Sequence, residues 1–226
     1  MDRHYILYSD PGSGGVAVEA ALTLMGQQYD LVEAPTSEPQ DVAGGDRVLA
    51  ANPMRQVPAL VLPHPSGGPG EVMTESAAIL IRLGELHPEA RLAPGPDDPR
   101  RAAFLRWMSF VSAAIYSLYW VKDDPSRLAP DPAAQPALVA RSLARIAECW
   151  GIMERQVAPG RYILGDELTV LDLYVTVVSR FNPRRRRFYE VAPRMGEVVR
   201  RVDEDPRLAA FWAERYPFEP GWDRPG

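Results

Sequence analysis

The order of apolar and polar positions splits the chain into two halves with different periods. In the first half Tyr5-Ile6-Leu7-Tyr8 reads as a strand, and Val18, Ala21, Leu22 and Met25 then recur at helical spacing up to Gly26, a natural stop. Tyr29 to Ala34 reads as a second strand, which a helical crossover places parallel to the first and beside it. Residues 35–50 are polar, with a weak helical signal at Val42, Val48 and Leu49. Pro58 donates no ladder hydrogen bond, so it starts the strand that runs to Leu62. The turn-rich stretch Pro63 to Gly70 joins that strand to an antiparallel partner, Glu71-Val72-Met73. Ala78, Ile79, Ile81, Leu83 and Leu86 then predict a helix from Glu75 that His87-Pro88 ends. This half reads β-α-β-α-β-β-α.

The second half is helical throughout. Pro88, Pro94, Pro96 and Pro99 make a stiff connector, and Asp97-Asp98-Pro99 suits the first turn of a helix. Phe104, Met108, Val111, Ile115 and Leu118 predict one long helix to about Lys122. After a break at Pro130 to Pro136, Leu143, Ile146, Trp150, Met153 and Val157 mark an amphipathic helix. Val170 to Val178 is apolar nearly all round and is expected at the centre, with Thr169 and Asp172 spaced as a capping box in a structural role. The expected units are an α/β domain over 1–87, a linker over 88–97 and an all-helical domain over 98–226.

Composition changes this picture little. Of 226 residues, 46% are hydrophobic and 24% charged, enough to bury a core and unlike a disordered chain. A net charge of -5 argues against a nucleic-acid partner bound through overall basicity, and Arg184 to Arg187 reads as a solvated loop in an acidic protein. Cys149 stands alone beside an apolar stripe, a small buried hydrophobe and not a nucleophile. One cysteine and no leader-like opening place the protein in the cytoplasm, and no apolar run approaches the ~18 residues of a membrane span. His4, His64 and His87 are scattered, so no metal-ligand spacing appears, and His64 reads as a solvated loop histidine. The tail with Tyr216, Phe218 and Trp222 is too aromatic to float and is expected to pack over the first domain or roof a site.

Chemistry concentrates in two places. The loop Ser9-Asp10-Pro11-Gly12-Ser13-Gly14-Gly15 lacks the spacing of either glycine-rich nucleotide loop, and its hydroxyls, Ser9 and Ser13 with the neighbouring Tyr8, are the candidate reactive groups against a bland role in turn hydrogen bonds. The second place is Asn52-Pro53-Met54-Arg55-Gln56-Val57-Pro58-Ala59-Leu60 with Thr74-Glu75-Ser76 downstream. It sets a strand-edge backbone beside a helix N-terminus that favours an anion.

Asn-Pro-x-x-x-Val-Pro-Ala-Leu followed by Glu-Ser resembles the glutathione-binding segment of the cytosolic glutathione S-transferases, and Thr169-x-x-Asp172 resembles the box ahead of that family's core helix. The resemblance implies a thioredoxin-like domain followed by an all-helical domain, glutathione as co-substrate, no metal, and a homodimer. It puts Val57 and a cis Pro58 on the cysteinyl part of glutathione, Glu75 and Ser76 on the γ-glutamyl end, and Arg55 and Gln56 alongside, Arg55 standing where many members have glycine. The bacterial members it most resembles, the beta-like ones, carry Pro-Gly-x-Cys in the first loop. Ungapped alignment puts Gly14 on that cysteine and Ser13 one place before it, so the cysteine is absent. Matching Trp107-Met108-Ser109-Phe110-Val111 to the bacterial pattern puts Tyr116 where those enzymes have a histidine near the sulfur, with Ser112, Tyr116 and Tyr119 as electrophile-pocket residues. The implied activity is conjugation of the glutathione thiolate to a small apolar electrophile. The alternatives are a non-catalytic glutathione-binding or interaction module, or a glutathione-dependent peroxidase, lyase or dehalogenase.

Overall fold

Alternation of side chains along the first strand decides how this fold is layered. In β1 (Tyr5–Ser9) residues Tyr5, Leu7 and Ser9 are buried while Ile6 and Tyr8 are half-buried, so one face is committed to the core. The computed structural model describes residues 4–34, 48–64 and 70–217. β1 pairs in parallel with β2 (Tyr29–Glu33) and antiparallel with β3 (Ala59–Leu62), which pairs antiparallel with β4 (Glu71–Thr74). The sheet order is β2-β1-β3-β4. The helical signal expected over 35–50 lies mostly outside the described residues, but residues 48–51 are helical.

α1 (Gly15–Leu24) carries the crossover between β1 and β2 and packs against α2 (Ser76–Leu86). Its other neighbour is the helical half, so Gly15 through Leu22 are buried all round, Glu19 included. A buried glutamate must be paired, and the partner comes from the far end of the chain, as described below.

The helical half runs α3 (Arg101–Phe110), a π-helical segment (Val111–Tyr116), α4 (Ser117–Asp123), α5 (Gln135–Val157), α6 (Val170–Ser179), α7 (Arg186–Val191), α8 (Pro193–Asp203) and α9 (Ala209–Arg215). The first helix opens at Arg101 and not at Asp97-Asp98-Pro99; Asp98 instead accepts the Arg100 N–H at 2.8 Å and its guanidinium at 2.7 Å. The helix expected to reach Lys122 does continue to Asp123, but its middle widens into the π segment, which shifts the side chains beyond it around the axis. Cys149 is fully buried, and burial pushes its thiol up. Among the described residues no helix is long and apolar enough to cross a membrane.

The basic run corrects the sequence reading. Arg185 is only 2% exposed, donates to Ser179 Oγ at 2.9 Å and to the Thr176 carbonyl at 2.8 Å, and forms an ion pair with Asp203. Arg186 and Arg187 are exposed and pair with Glu190. The run looks solvated only because its counter-charge, at the end of α8, is distant in sequence.

α6 is buried on every side, so its N-terminal N–H groups need partners inside the protein. The Asp172 carboxylate accepts the Thr169 N–H at 2.7 Å, the Thr169 hydroxyl at 2.8 Å and the Ile163 N–H at 2.8 Å. Burial, opposed by those bonds, pushes its carboxyl up to about 6. A carboxyl raised in the folded state contributes stability that is complete below its unfolded pKa of about 4 and is lost as pH climbs through its folded value. Thr169→Ala should therefore cost about 1 kcal/mol. Asp172→Asn, which does not titrate, should trail wild type more at pH 4 than at pH 7, the gap narrowing by about 2 kcal/mol between them; denaturant unfolding at the two pH values measures both.

Candidate functional site

The third strand begins at a cis Val57–Pro58 bond, and its ladder stops just short of it. Ala59 pairs with Tyr8 on one side and with Thr74 on the other, and no ladder pairing among the described residues includes Val57. Extending the β3/β4 register by one step sets Pro58 opposite Glu75, where β4 passes into α2. A half-buried backbone free of the ladder thus lies beside a helix N-terminus, a geometry suited to an extended peptide that ends in a carboxylate.

The loop ahead of Val57 is built by Asn52, which is 5% exposed. Its side chain accepts from the Met54 N–H at 3.0 Å and donates to the Gln56 carbonyl at 2.8 Å. Arg55 lies in the left-handed region at φ 54, a conformation that favours glycine. The loop keeps that backbone with an arginine in place, at a strain of about 1–2 kcal/mol. Among the described residues Arg55 Nη1 is buried without a hydrogen-bond partner.

Glu75 is exposed and also has a positive φ of 68 as it caps α2. Ser76, by contrast, is 5% exposed, and its hydroxyl donates to Tyr174 Oη at 3.1 Å. Tyr174, on α6, is buried, and desolvation pushes its phenol up to about 12 while bonds to Ser76 and Ser112 pull the other way. Tyr174 thus ties the α2 N-terminus to the π segment. The sequence offered one signal for it: a tyrosine in an otherwise apolar central helix needs a partner for its hydroxyl.

The first loop meets the helical half directly. Gly14 N–H donates to Tyr116 Oη at 2.9 Å, and a Cβ at Gly14 would fall 2.6 Å from Tyr116 Cε1. The tyrosine therefore occupies the space that any side chain at position 14 would need. Burial drives the Tyr116 phenol well above its ordinary value, so it stays protonated at neutral pH and its proton remains available to donate. Ser13 is half-buried, and its hydroxyl accepts from the Gly15 N–H at 3.1 Å within the turn. Ser9 points into the interior and donates to Glu19 Oε1 at 2.6 Å.

The structure thus groups Ser13 and Tyr116 around Gly14, and groups Val57, Pro58, Glu75 and Ser76 at the strand edge. It separates Ser9, turned inward, from both. Tyr119 is buried against Phe181 at a ring distance of 5.3 Å, and Phe181 also packs on Tyr116 at 5.0 Å. Tyr119 also lines a cavity of about 690 Å³ with Trp150, Phe188 and Arg155. A second cavity, of about 390 Å³, lies at the interdomain connector among Gly84, Pro94, Arg100 and Glu167. Neither is lined by the first loop, Val57 or Glu75. Among the described residues no cluster of histidine, cysteine or acidic groups is arranged to hold a metal ion.

A four-stranded thioredoxin-like sheet, with a proline-headed strand edge beside a helix N-terminus, and a following helical domain define a two-domain class of fold. The family comparisons agree: residues 7–91 match the glutathione S-transferase N-terminal domain and residues 135–215 the glutathione S-transferase C-terminal domain. The chain belongs to the glutathione S-transferase family. It is 27% identical over 202 residues to the uncharacterized GST-like protein YncG of Escherichia coli (strain K12), covering 89% of this chain and 94% of that protein. It is 23% identical over 205 residues to the glutathione S-transferase GstA of Escherichia coli O157:H7, covering 89% and 94%. The crystal structure of a glutathione transferase homologue from Sulfitobacter, with bound glutathione, superposes at a TM-score of 0.77 over 95% of this chain and 99% of that one, at 23% identity.

The Gly14–Tyr116 contact yields a sign test. Gly14 has φ -63, so alanine carries no backbone penalty there, and the atoms nearest its methyl belong to the tyrosine. Gly14→Ala should destabilise wild type by about 1–2 kcal/mol through overpacking. In a Tyr116→Ala background the same substitution should be neutral or stabilising, a coupling of about 1 kcal/mol or more in a double-mutant cycle of unfolding free energies.

Proposed function

We propose that this chain conjugates the glutathione thiolate to a small, apolar electrophile. The observation that carries this reading is the Tyr116 hydroxyl, protonated and anchored on the Gly14 amide of the first loop, in the domain that also offers an unpaired strand edge at Val57. Val57 pairs its backbone with the cysteinyl unit, and Pro58 and Gln56 shape that edge. The Glu75 carboxylate faces the γ-glutamyl ammonium, and the free N–H groups at the start of α2 hold the neighbouring carboxylate. Because the Ser76 hydroxyl donates to Tyr174, Ser76 serves through its backbone. Arg55, whose Nη1 has no partner among the described residues, takes the carboxylate at the other end of the tripeptide.

Tyr116 donates to the sulfur, and Ser13, which only accepts within its turn, keeps its proton for the same purpose. Hydrogen bonds to the thiolate lower the thiol pKa from about 8.5, each unit worth about 1.4 kcal/mol. The sulfur then attacks the electrophilic carbon, a C–S bond forms, and the leaving group departs with its electron pair. Ser9 has no part, since its proton is given to Glu19. Tyr116 and Ser112 line the helical side of the acceptor's path, while Tyr119, buried against Phe181, backs Tyr116 from the interior. The protein works as a homodimer in the cytoplasm; the exposed apolar side chains of Met54 and Val72 on the first domain support the dimer.

A second reading, a glutathione-binding module without turnover, draws on one observation: neither of the two cavities reaches the first loop. Calorimetric titration with glutathione and conjugation of an aryl halide by wild type, Ser13→Ala and Tyr116→Phe separate the two. The transferase reading expects binding between micromolar and millimolar, turnover by wild type, and a kcat at least about tenfold lower in Tyr116→Phe, one pKa unit of lost thiolate preference. Binding without turnover of aryl halides, peroxides or haloalkanes establishes the module, and no binding sinks both.

A further inference from the structure

The last helix reaches back across the molecule to the base of the first loop. Arg215, at the end of α9, has a side chain 12% exposed, and its Nε donates to Glu19 Oε2 at 2.6 Å. Its Nη2 reaches Glu19 Oε1 at 3.3 Å, and its Nη1 donates to Glu33 Oε1 at 2.5 Å. Glu19 is fully buried in α1, and its Oε1 also accepts the Ser9 hydroxyl at 2.6 Å. One guanidinium thus joins the ends of β1 and β2 to α1. Ser9 is the last residue of β1, Glu33 is its register partner on β2, and α1 begins at the far end of the loop.

The fit around this anchor is tight. A Cβ on Gly15 would lie 2.2 Å from Ser9 Oγ, so the start of α1 closes directly on the hydroxyl that Glu19 holds. The next residue, Tyr216, is 8% exposed and lies against the crest of the loop, its Cε2 3.6 Å from where a Cβ of Gly12 would be. Its carbonyl accepts from Arg180 Nη1 at 2.9 Å, and the Arg180 guanidinium stacks 4.2 Å from the Trp212 ring. The segment that grips the loop is therefore itself pinned to the interior of the helical domain. A planar guanidinium bridges two carboxylates with donors held in a rigid fork that also meets both oxygens of the buried one, a geometry the compact ammonium of lysine does not match.

We propose that Arg215 is a positioning residue for the Asp10–Gly14 loop, acting through Glu19 and Ser9 at its base and through Tyr216 at its crest, so that the C-terminal helix sets where Ser13 and Gly14 stand against Tyr116. This rests on the transferase reading for its catalytic consequence but not for its geometry, and two measurements keep them apart.

In the first, amide hydrogen exchange is followed without glutathione in wild type, Arg215→Met, Arg215→Lys and Glu19→Gln. Arg215→Met should accelerate exchange at residues 12–16 at least about tenfold with α5 and α6 protected as before, and Arg215→Lys should fall between it and wild type, because lysine restores charge but not the bridge. In the second, the ultraviolet absorbance of bound glutathione thiolate is titrated against pH. In Arg215→Met the titration should move upward by about one unit, a tenfold loss of thiolate at fixed pH, with the glutathione dissociation constant within about twofold at a pH below both titrations, where the thiol form binds. Unchanged exchange in the loop, or faster exchange spread evenly over the chain, overturns the proposal. Should Arg215→Met fail to fold, Arg215→Lys and Glu19→Gln carry the same comparison. If wild type never binds or ionises glutathione the transferase reading falls, while the exchange result still decides whether Arg215 positions the loop.

Discussion

The hydrogen bond from the Gly14 amide to the Tyr116 hydroxyl sets how the first loop meets the helical domain. It forms because position 14 has no side chain, and it leaves the tyrosine with a proton to give because its oxygen acts as acceptor toward the backbone. Burial holds that proton in place at neutral pH. The same contact bars a cysteine from position 14 unless the tyrosine moves, so the absent thiol and the present phenol are two sides of one packing choice. The π-helical turn that ends at Tyr116 belongs to that choice, since widening the helix changes the direction in which its last side chain leaves.

The two domains are joined by polar bonds set in an apolar interface. Ser76 reaches Tyr174, Glu19 reaches Arg215, and the Val170 N–H donates to the Leu92 carbonyl at 2.8 Å. Each involves a group that burial would make costly if left alone, so each specifies a relative placement that apolar packing by itself leaves open. The expected tail contact follows the same logic: Arg215 and Tyr216 pack over the first domain, while Phe218 and Trp222 lie outside the described residues.

Local pattern carried much of the fold. The alternation in Tyr5 to Ser9, the proline at the head of Ala59–Leu62, the apolar run of α6 and its Thr169–Asp172 box were legible because each is stated within a few neighbouring residues. At the strand edge the strand start at Pro58 and the helix start after Glu75 were legible for the same reason, but the positive φ of Arg55 and of Glu75 was not. The Arg184 to Arg187 run was misread because Asp203 lies 18 residues from Arg185, and nothing in a basic tetrapeptide tells which arginine turns inward. Ser9 and Ser76 were legible as hydroxyls but not as hydroxyls already engaged by Glu19 and Tyr174.

By itself, the sequence determined the order of strands and helices, a proline at the head of the third strand, the central apolar helix and the absence of a cysteine from the first loop. These follow from periodicity, from proline's missing donor and from side-chain identity, all of them local quantities. Tertiary structure alone decided which hydroxyl meets the loop, which arginines are buried, and that the final helix grips the first. Those outcomes depend on pairing desolvated polar groups across as many as 196 residues of chain, and such pairing exists only once the core has closed around them.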